Sequence, residues 1–279
     1  MPELPEVEVL RRHLAPRLSE RRVQGVHVHC PRVVRPGTPE GLIDLMRGAV
    51  CAGIRRRGKH LLFDWRCLDG VLRTTVGHLG MTGRFVIEPV DAPLRRHVTV
   101  ELDLGDERCC LVDPRRFGRF ALETESTEER LGPEPLEDGF TVDALKEGLA
   151  GSRQVVKVRL MDQSVVAGLG NIYVNEALHL AGVHPDRASA GLNRRELERL
   201  HAAIRTVLEE AVRRGTAAEL DFAEGADGLF YFGSRSGGGM GETWRVYDRA
   251  GAECGRCGGR IRVMRRAGRS TFACGECQK

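Results

Sequence analysis

The sequence lacks any long apolar run, has almost no lysine and contains very little asparagine, and each scarcity narrows what the chain can be. No stretch approaches the roughly 18 apolar residues that a membrane-spanning helix needs, so a membrane is not an expected partner. The first twenty residues carry Glu3, Glu6 and Glu8 around no apolar core, which argues against a secretory signal. Lysine occurs four times (Lys59, Lys146, Lys157, Lys279) among 43 basic residues, so arginine is the default cation. Asparagine occurs three times, at positions 171, 175 and 193. What is present suits a folded, water-exposed protein: 279 residues, 41% apolar and 29% charged, enough for two domains with separate cores. Net charge is only +4, but its distribution is uneven. Positions 251–279 carry seven basic residues against two acids, and positions 126–150 carry seven acids against two basic residues. The basic end suggests a polyanionic partner, and the acidic stretch reads as a solvated connector.

The opening segment reads as a helix. Pro5 suits a first turn, Glu6 and Glu8 suit the positive end of the dipole, and Val7, Leu10, Leu14 and Leu18 share one face. From about Val23 to Leu122 the pattern changes to short runs: Val26–His29, His60–Trp65, Val71–Thr75, Arg84–Ile87, His97–Leu102, Cys109–Val112 and Arg119–Leu122. Strands at this spacing predict an antiparallel sandwich or barrel. The pattern stops near Leu131-Gly-Pro-Glu-Pro-Leu136, which marks a domain boundary. Thr141 to about Arg214 is helical in period, with breaks at Gly168–Asn171 and Gly182–Pro185. A glycine-rich loop is expected at Ser234–Gly241, and short strands return from Trp244.

Nine cysteines divide into two groups. Cys254-x2-Cys257-x16-Cys274-x2-Cys277 has the spacing of a closed four-thiolate zinc site. Four sulfurs leave no position for water, so one structural zinc ion is expected rather than a catalytic one. The remaining five (Cys30, Cys51, Cys67, Cys109, Cys110) are odd in number and irregular in spacing, as expected of buried reduced thiols in a cytosolic protein. Between the paired cysteines, Arg260 to Arg269 forms a basic ribbon that could follow a phosphate backbone or, alternatively, bind protein.

Two further features suggest chemistry. Proline at position 2 gives a secondary amine once Met1 is removed, and such an amine attacking a sugar C1′ yields an iminium that acidifies the 2′ proton. Glu3 could exchange protons at the same sugar. Lys59 follows Arg55-Arg-Arg-Gly, where a further arginine would have been the default; a lysine can give up its proton and an arginine cannot.

Taken together, the residues resemble one family, the bacterial formamidopyrimidine-DNA glycosylases and their endonuclease VIII relatives. The matching blocks are Pro2-Glu-Leu-Pro-Glu-Val-Glu8, Arg57-Gly-Lys-His60, His78-Leu-Gly-Met-Thr-Gly83, Asp113-Pro-Arg-Arg-Phe-Gly118, Leu131–Leu136, Met161–Pro185 and the cysteine cluster. They run from Pro2 to Lys279. The resemblance implies an α+β protein: a catalytic antiparallel β-sandwich at 1–131, a helix–two-turn–helix domain at 132–233 and a zinc hairpin at 242–279, with DNA in the cleft between. It implies Pro2 as Schiff-base nucleophile, Glu3 as acid/base, Lys59 as a second proton-transfer and phosphate group, and Arg269 as a phosphate contact tied to the second elimination. Met81, Arg115 and Phe117 match the residues that fill the hole left by an extruded base. Asn171, at the start of a helix with free N–H groups, matches a phosphate-binding position, and His97, Arg153 and Lys157 fall near DNA contacts.

The implied activity is removal of 8-oxoguanine or formamidopyrimidines from damaged double-stranded DNA, followed by β,δ-elimination, in a monomer located in the cytoplasm. Gly215-Thr-Ala-Ala-Glu-Leu-Asp-Phe222 and Gly237-Gly-Gly-Met-Gly241 depart from the family's base-covering segment. An endonuclease VIII-like preference for oxidised pyrimidines therefore stays open. A non-catalytic zinc protein binding distorted DNA is the rival from another class; it would not need Pro2, Glu3 and Lys59 together.

Overall fold

The computed structural model describes residues 2–123, 129, 131–217 and 244–279. The chain divides into two compact units: 1–2, 6–127 and 218–231 in the first; 3–5, 128–217 and 232–279 in the second. Among the described residues no helix is long and apolar enough to cross a membrane. The expected glycine-rich loop and most of the Gly215–Phe222 segment lie outside the described residues.

The first unit is built on two four-stranded antiparallel sheets. One has the order β2-β3-β4-β8, from Val50–Arg57, His60–Arg66, Leu72–His78 and Arg119–Leu122. The other has the order β1-β6-β7-β5, from Gly25–Val28, Val98–Asp103, Glu107–Val112 and Arg84–Pro89. Their shared core contains Phe63, Phe85 and Phe120, whose ring centroids lie 5.2–5.7 Å apart in tilted or edge-on pairs. Gly77 is required by this packing, since a Cβ there would meet the Phe63 and Phe85 rings at 3.0 and 3.1 Å. Helix α1 (Leu4–Leu18) lays Val7, Leu10, Leu14 and Leu18 into the same core, on the face the sequence predicts.

Glu8 is not a simple dipole partner. It is buried, which would raise its pKa, but hydrogen bonds from Arg11 and Arg12 and the charge of Arg56 hold it down at about 2. Cys109 and Cys110 point to opposite faces of β7 and enter two separate apolar clusters, so both neighbours are buried. Burial raises both thiols, Cys110 to about 12, so both stay protonated at pH 7.

Two elements escape the sequence pattern. Helix α2 (Pro39–Met46) is short, capped by the Thr38 hydroxyl accepting from Gly41 N–H. Strand β2 carries a register shift between Cys51 and Gly53, which breaks the alternation a period-2 reading needs.

The second unit packs α3 (Val142–Leu149), α4 (Val156–Leu160), α5 (Asn171–Ala181) and α6 (Arg194–Ala217) around one core. Helix α6 runs three residues past the expected end at Arg214. Helix α5 starts and stops where its glycines dictate. Gly170 precedes it in an extended conformation, and Gly182 follows with φ +71°, the left-handed position that ends a helix. The hairpin β9–β10 (Ile261–Arg266, Arg269–Cys274) turns through Ala267 and Gly268.

Candidate functional site

In the second unit Glu3 is seated on the start of α5. Its buried carboxylate accepts from the backbone N–H groups of Ile172 (3.0 Å) and Tyr173 (3.4 Å). Gly170 makes this seat, because a Cβ there would lie 2.3 Å from the Glu3 carboxyl carbon. This corrects one expectation: two of the N–H groups assigned to a phosphate at this helix start are already used by Glu3. A carboxylate is the group that a helix N-terminus favours, and here the chain supplies its own. Asn171 is the first residue of the helix, with its Oδ1 buried and without a hydrogen-bond partner among the described residues.

Lys157 is corrected more strongly. It is fully buried rather than displayed to DNA, donating to Ser270 O (2.9 Å) and Thr271 Oγ1 (2.6 Å). Burial first, and the positive charge of Arg269 second, lower its pKa to about 8. The amine thus fastens the beginning of β10, where Arg269 itself is exposed. Asn175 makes a second tie. Its amide donates to Asn171 O and its Oδ1 accepts from Phe272 N–H at 2.9 Å, so one buried side chain links the start of α5 to β10. Of the other basic residues in the ribbon, Arg266 is paired with Asp186, while Arg262 and Arg265 are exposed. Arg153 is exposed on the segment leading into α4.

In the first unit the three predicted gap-filling residues come together on two loops. Met81 and Phe117 are 41% and 54% exposed and stand outside the core of their unit. The Arg115 guanidinium lies over the Phe117 ring, 4.8 Å from its centroid, a cation–π contact. Asp113 organises both loops. Fully buried, it accepts from Thr82 Oγ1 (2.6 Å), Arg115 N–H (3.1 Å) and Gly118 N–H (2.7 Å). Gly80, at φ +59°, lets the loops meet, since a Cβ there would strike the Phe117 carbonyl carbon at 2.7 Å.

Lys59 sits in the two-residue turn between β2 and β3, after Gly58 at φ +56°, and is half-buried. Behind it the His60 and His78 rings lie 4.9 Å apart. Burial, followed by the positive charge of His60, Lys59 and Arg119, lowers His78 to about 4, so it is a neutral ring at pH 7. Its Nδ1 accepts from Gly80 N–H at 3.1 Å, which fixes the base of the Met81 loop. His97 is exposed in a left-handed conformation, φ +66°. Pro2 is buried and precedes Glu3 in the chain.

The four predicted zinc ligands converge. Their Sγ atoms all lie within 4.8 Å of one another, with Cys254–Cys277 at 3.9 Å and Cys257–Cys274 at 3.5 Å. Tetrahedral zinc with Zn–S bonds of about 2.3 Å sets its sulfurs about 3.8 Å apart, so the cluster fits a structural zinc. Both close pairs join the two Cys-x2-Cys turns, as a closed tetrahedron requires.

Residues 1–120 match the model of the formamidopyrimidine-DNA glycosylase N-terminal domain, and residues 131–221 match that family's H2TH domain. The chain belongs to the formamidopyrimidine-DNA glycosylase family. It is 40% identical over 290 residues to the formamidopyrimidine-DNA glycosylase of Acidiphilium cryptum (strain JF-5), and 39% identical over 286 residues to that of Dechloromonas aromatica (strain RCB). Both alignments cover 100% of each chain. Among solved structures, the Lactococcus lactis enzyme bound non-covalently to abasic-site DNA is 32% identical with a TM-score of 0.85, covering 99% of each chain. A MutM structure in complex with DNA containing carbocyclic 8-oxo-G matches at 32% identity and TM-score 0.85 over 100% of each chain.

Within this family frame, Asp113, Asn175 and His78 are the supporting residues that sequence reasoning passed over. Asp113 stood inside a quoted motif without a role. Asn175 had a signal: two of only three asparagines lie four residues apart on one helix, where side chain and backbone can meet.

Proposed function

We propose that this protein excises oxidised purines, 8-oxoguanine or formamidopyrimidines, from duplex DNA and then cuts the strand by β,δ-elimination. The observation that carries this reading is Pro2 immediately before a buried Glu3 whose carboxylate is fixed by two backbone N–H groups of α5. With Met1 removed, the Pro2 nitrogen attacks C1′; the C1′–base bond breaks, and the base leaves with the bonding electrons and takes up a proton. The amine then loses its proton and the C1′–O4′ bond opens as O4′ takes one up, which joins nitrogen and C1′ as an iminium. The resulting iminium draws electrons from C2′, so a 2′ proton is lost and the 3′ C–O bond breaks, expelling a phosphate. A second proton loss expels the 5′ phosphate. In this reading Glu3 moves the protons at the sugar. The exposed Met81, Arg115 and Phe117 fill the space of the extruded base, and Lys59, Asn171 and Arg269, with His97 and Arg153, contact the backbone. Asp113 and the buried Lys157 and Asn175 act through the residues they hold. The zinc hairpin carries Arg269 on a folded support. DNA in the cytoplasm is the expected setting.

Incubation with duplexes carrying either 8-oxoguanine or an oxidised pyrimidine, with analysis of released base and strand ends, tests the reading. Release of the purine with phosphate at both ends of the gap is expected. Faster release of the pyrimidine would transfer the protein to the endonuclease VIII-like branch, and binding without base release would leave the non-catalytic reading.

A further inference from the structure

We infer that His179 is a positioning residue for the zinc centre, donating its Nε2–H to the Cys254 thiolate and thereby setting how tightly the metal is held. His179 lies in the last turn of α5 and is 4% exposed. Its Nε2 is 3.2 Å from Cys254 Sγ and 3.8 Å from Cys277 Sγ. The end of α5 is fixed against the cysteine turn by a second contact: Arg256, between Cys254 and Cys257, donates to the carbonyls of His179 (3.1 Å) and Leu180 (3.4 Å). Backbone bonds from His184 N–H to Lys279 O and from Lys279 N–H to Gly182 O close the same junction. The ring position is therefore determined by the fold.

The chemistry follows from charge. Four thiolates around one divalent ion carry a formal charge of minus two, and Cys254, the sulfur nearest His179, is buried. A zinc-bound thiolate offers only lone pairs, so a nitrogen at hydrogen-bond distance must bring the proton. That assigns Nε2–H and leaves Nδ1 bare. Nδ1 is buried and has no hydrogen-bond partner among the described residues, so it is left as an unpaired acceptor in this tautomer and would be an unpaired donor in the other. A donor on a ligating sulfur satisfies one of its lone pairs and fixes its position, so the metal is held more tightly. Outer-shell partners of this kind are worth about 10–100-fold in metal affinity. An aromatic hydrocarbon ring would fill the same space without supplying the proton.

The zinc-loaded full-length protein provides the test. Nitrogen-15 labelling of histidine reports the His179 tautomer directly in the unmodified protein: Nε2–H is expected, and Nδ1–H would overturn the assignment. Transfer of zinc to a chromogenic chelator then compares wild type, His179→Phe and His179→Gln. The Phe variant is expected to release zinc about 10–100-fold faster, with Gln, which keeps an N–H donor, closer to wild type. Release by the Phe variant within twofold of wild type would refute the proposal. If that variant does not fold, the tautomer in the wild type decides alone.

Discussion

The two units solve one problem, holding functional groups in fixed positions, by opposite choices of what to hide. The first unit exposes apolar side chains and buries the carboxylate that holds them: Met81 and Phe117 stand outside the core while Asp113 is fully enclosed. The second unit exposes a charge and buries an amine and an amide behind it: Arg269 faces outward while Lys157 and Asn175 are enclosed beneath β10. In both cases the group that sets the position is not the group displayed. A buried polar group with all its hydrogen bonds made specifies a geometry sharply, because every alternative leaves a donor or acceptor unpaired.

That contrast breaks most visibly at Glu3, which is buried and, in the proposed reaction, also carries protons at the sugar. Glu3→Gln keeps the shape of the seat and removes the proton-carrying group, so single-turnover base release should fall by about 10²–10⁴-fold with little change in DNA affinity. A fall in affinity of the same size would mean that Glu3 only shapes the site.

Lys157→Met comes next. The lysine's folded pKa, about 8, is below its ordinary value of 10.5, so the unfolded chain binds more protons between those values. Stability of the wild type should accordingly rise with pH across about 8 to 10.5, and the Met variant should lack that rise, a difference of up to about 3 kcal/mol in denaturant titrations. Parallel curves would show that the amine is not charged and buried as described.

The smallest stability effects belong to the first unit. Asp113→Asn keeps the oxygen that accepts from Thr82 and Arg115 but sets an NH2 against the Gly118 N–H, and should cost about 2 kcal/mol by chemical denaturation. Phe117→Ala, on the displayed ring, should alter stability by no more than about 0.5 kcal/mol while slowing base release. A large loss of stability in Phe117→Ala would make that residue core after all and dissolve the contrast.

How much of this was legible in the sequence depended on whether the determining contact was local. The zinc cysteines could be read because each Cys-x2-Cys turn forms half of the site by itself. The buried face of α1 and the span of α5 could be read because their apolar spacing and flanking glycines act within a few residues. Strand β2 could not, since its irregularity between Cys51 and Gly53 shifts the alternation. The local signal for α2 was available in Thr38-Pro39-Glu40, a cap followed by proline and an acid in the first turn. Lys157 misled because nothing near it in the chain announces burial; its partners, Ser270 and Thr271, are more than a hundred positions away. The Glu3 seat and the His179–Cys254 contact are hidden for the same reason.

The central claim is the covalent one, and borohydride trapping with peptide mapping tests it most directly. Purified protein, shown to have lost Met1, is incubated with abasic-site or 8-oxoguanine duplex and reduced. The account predicts a stable protein–DNA adduct attached at Pro2 and absent from Pro2→Gly. An adduct mapping to Lys59 or another amine, or strand cleavage undiminished in Pro2→Gly, would contradict it.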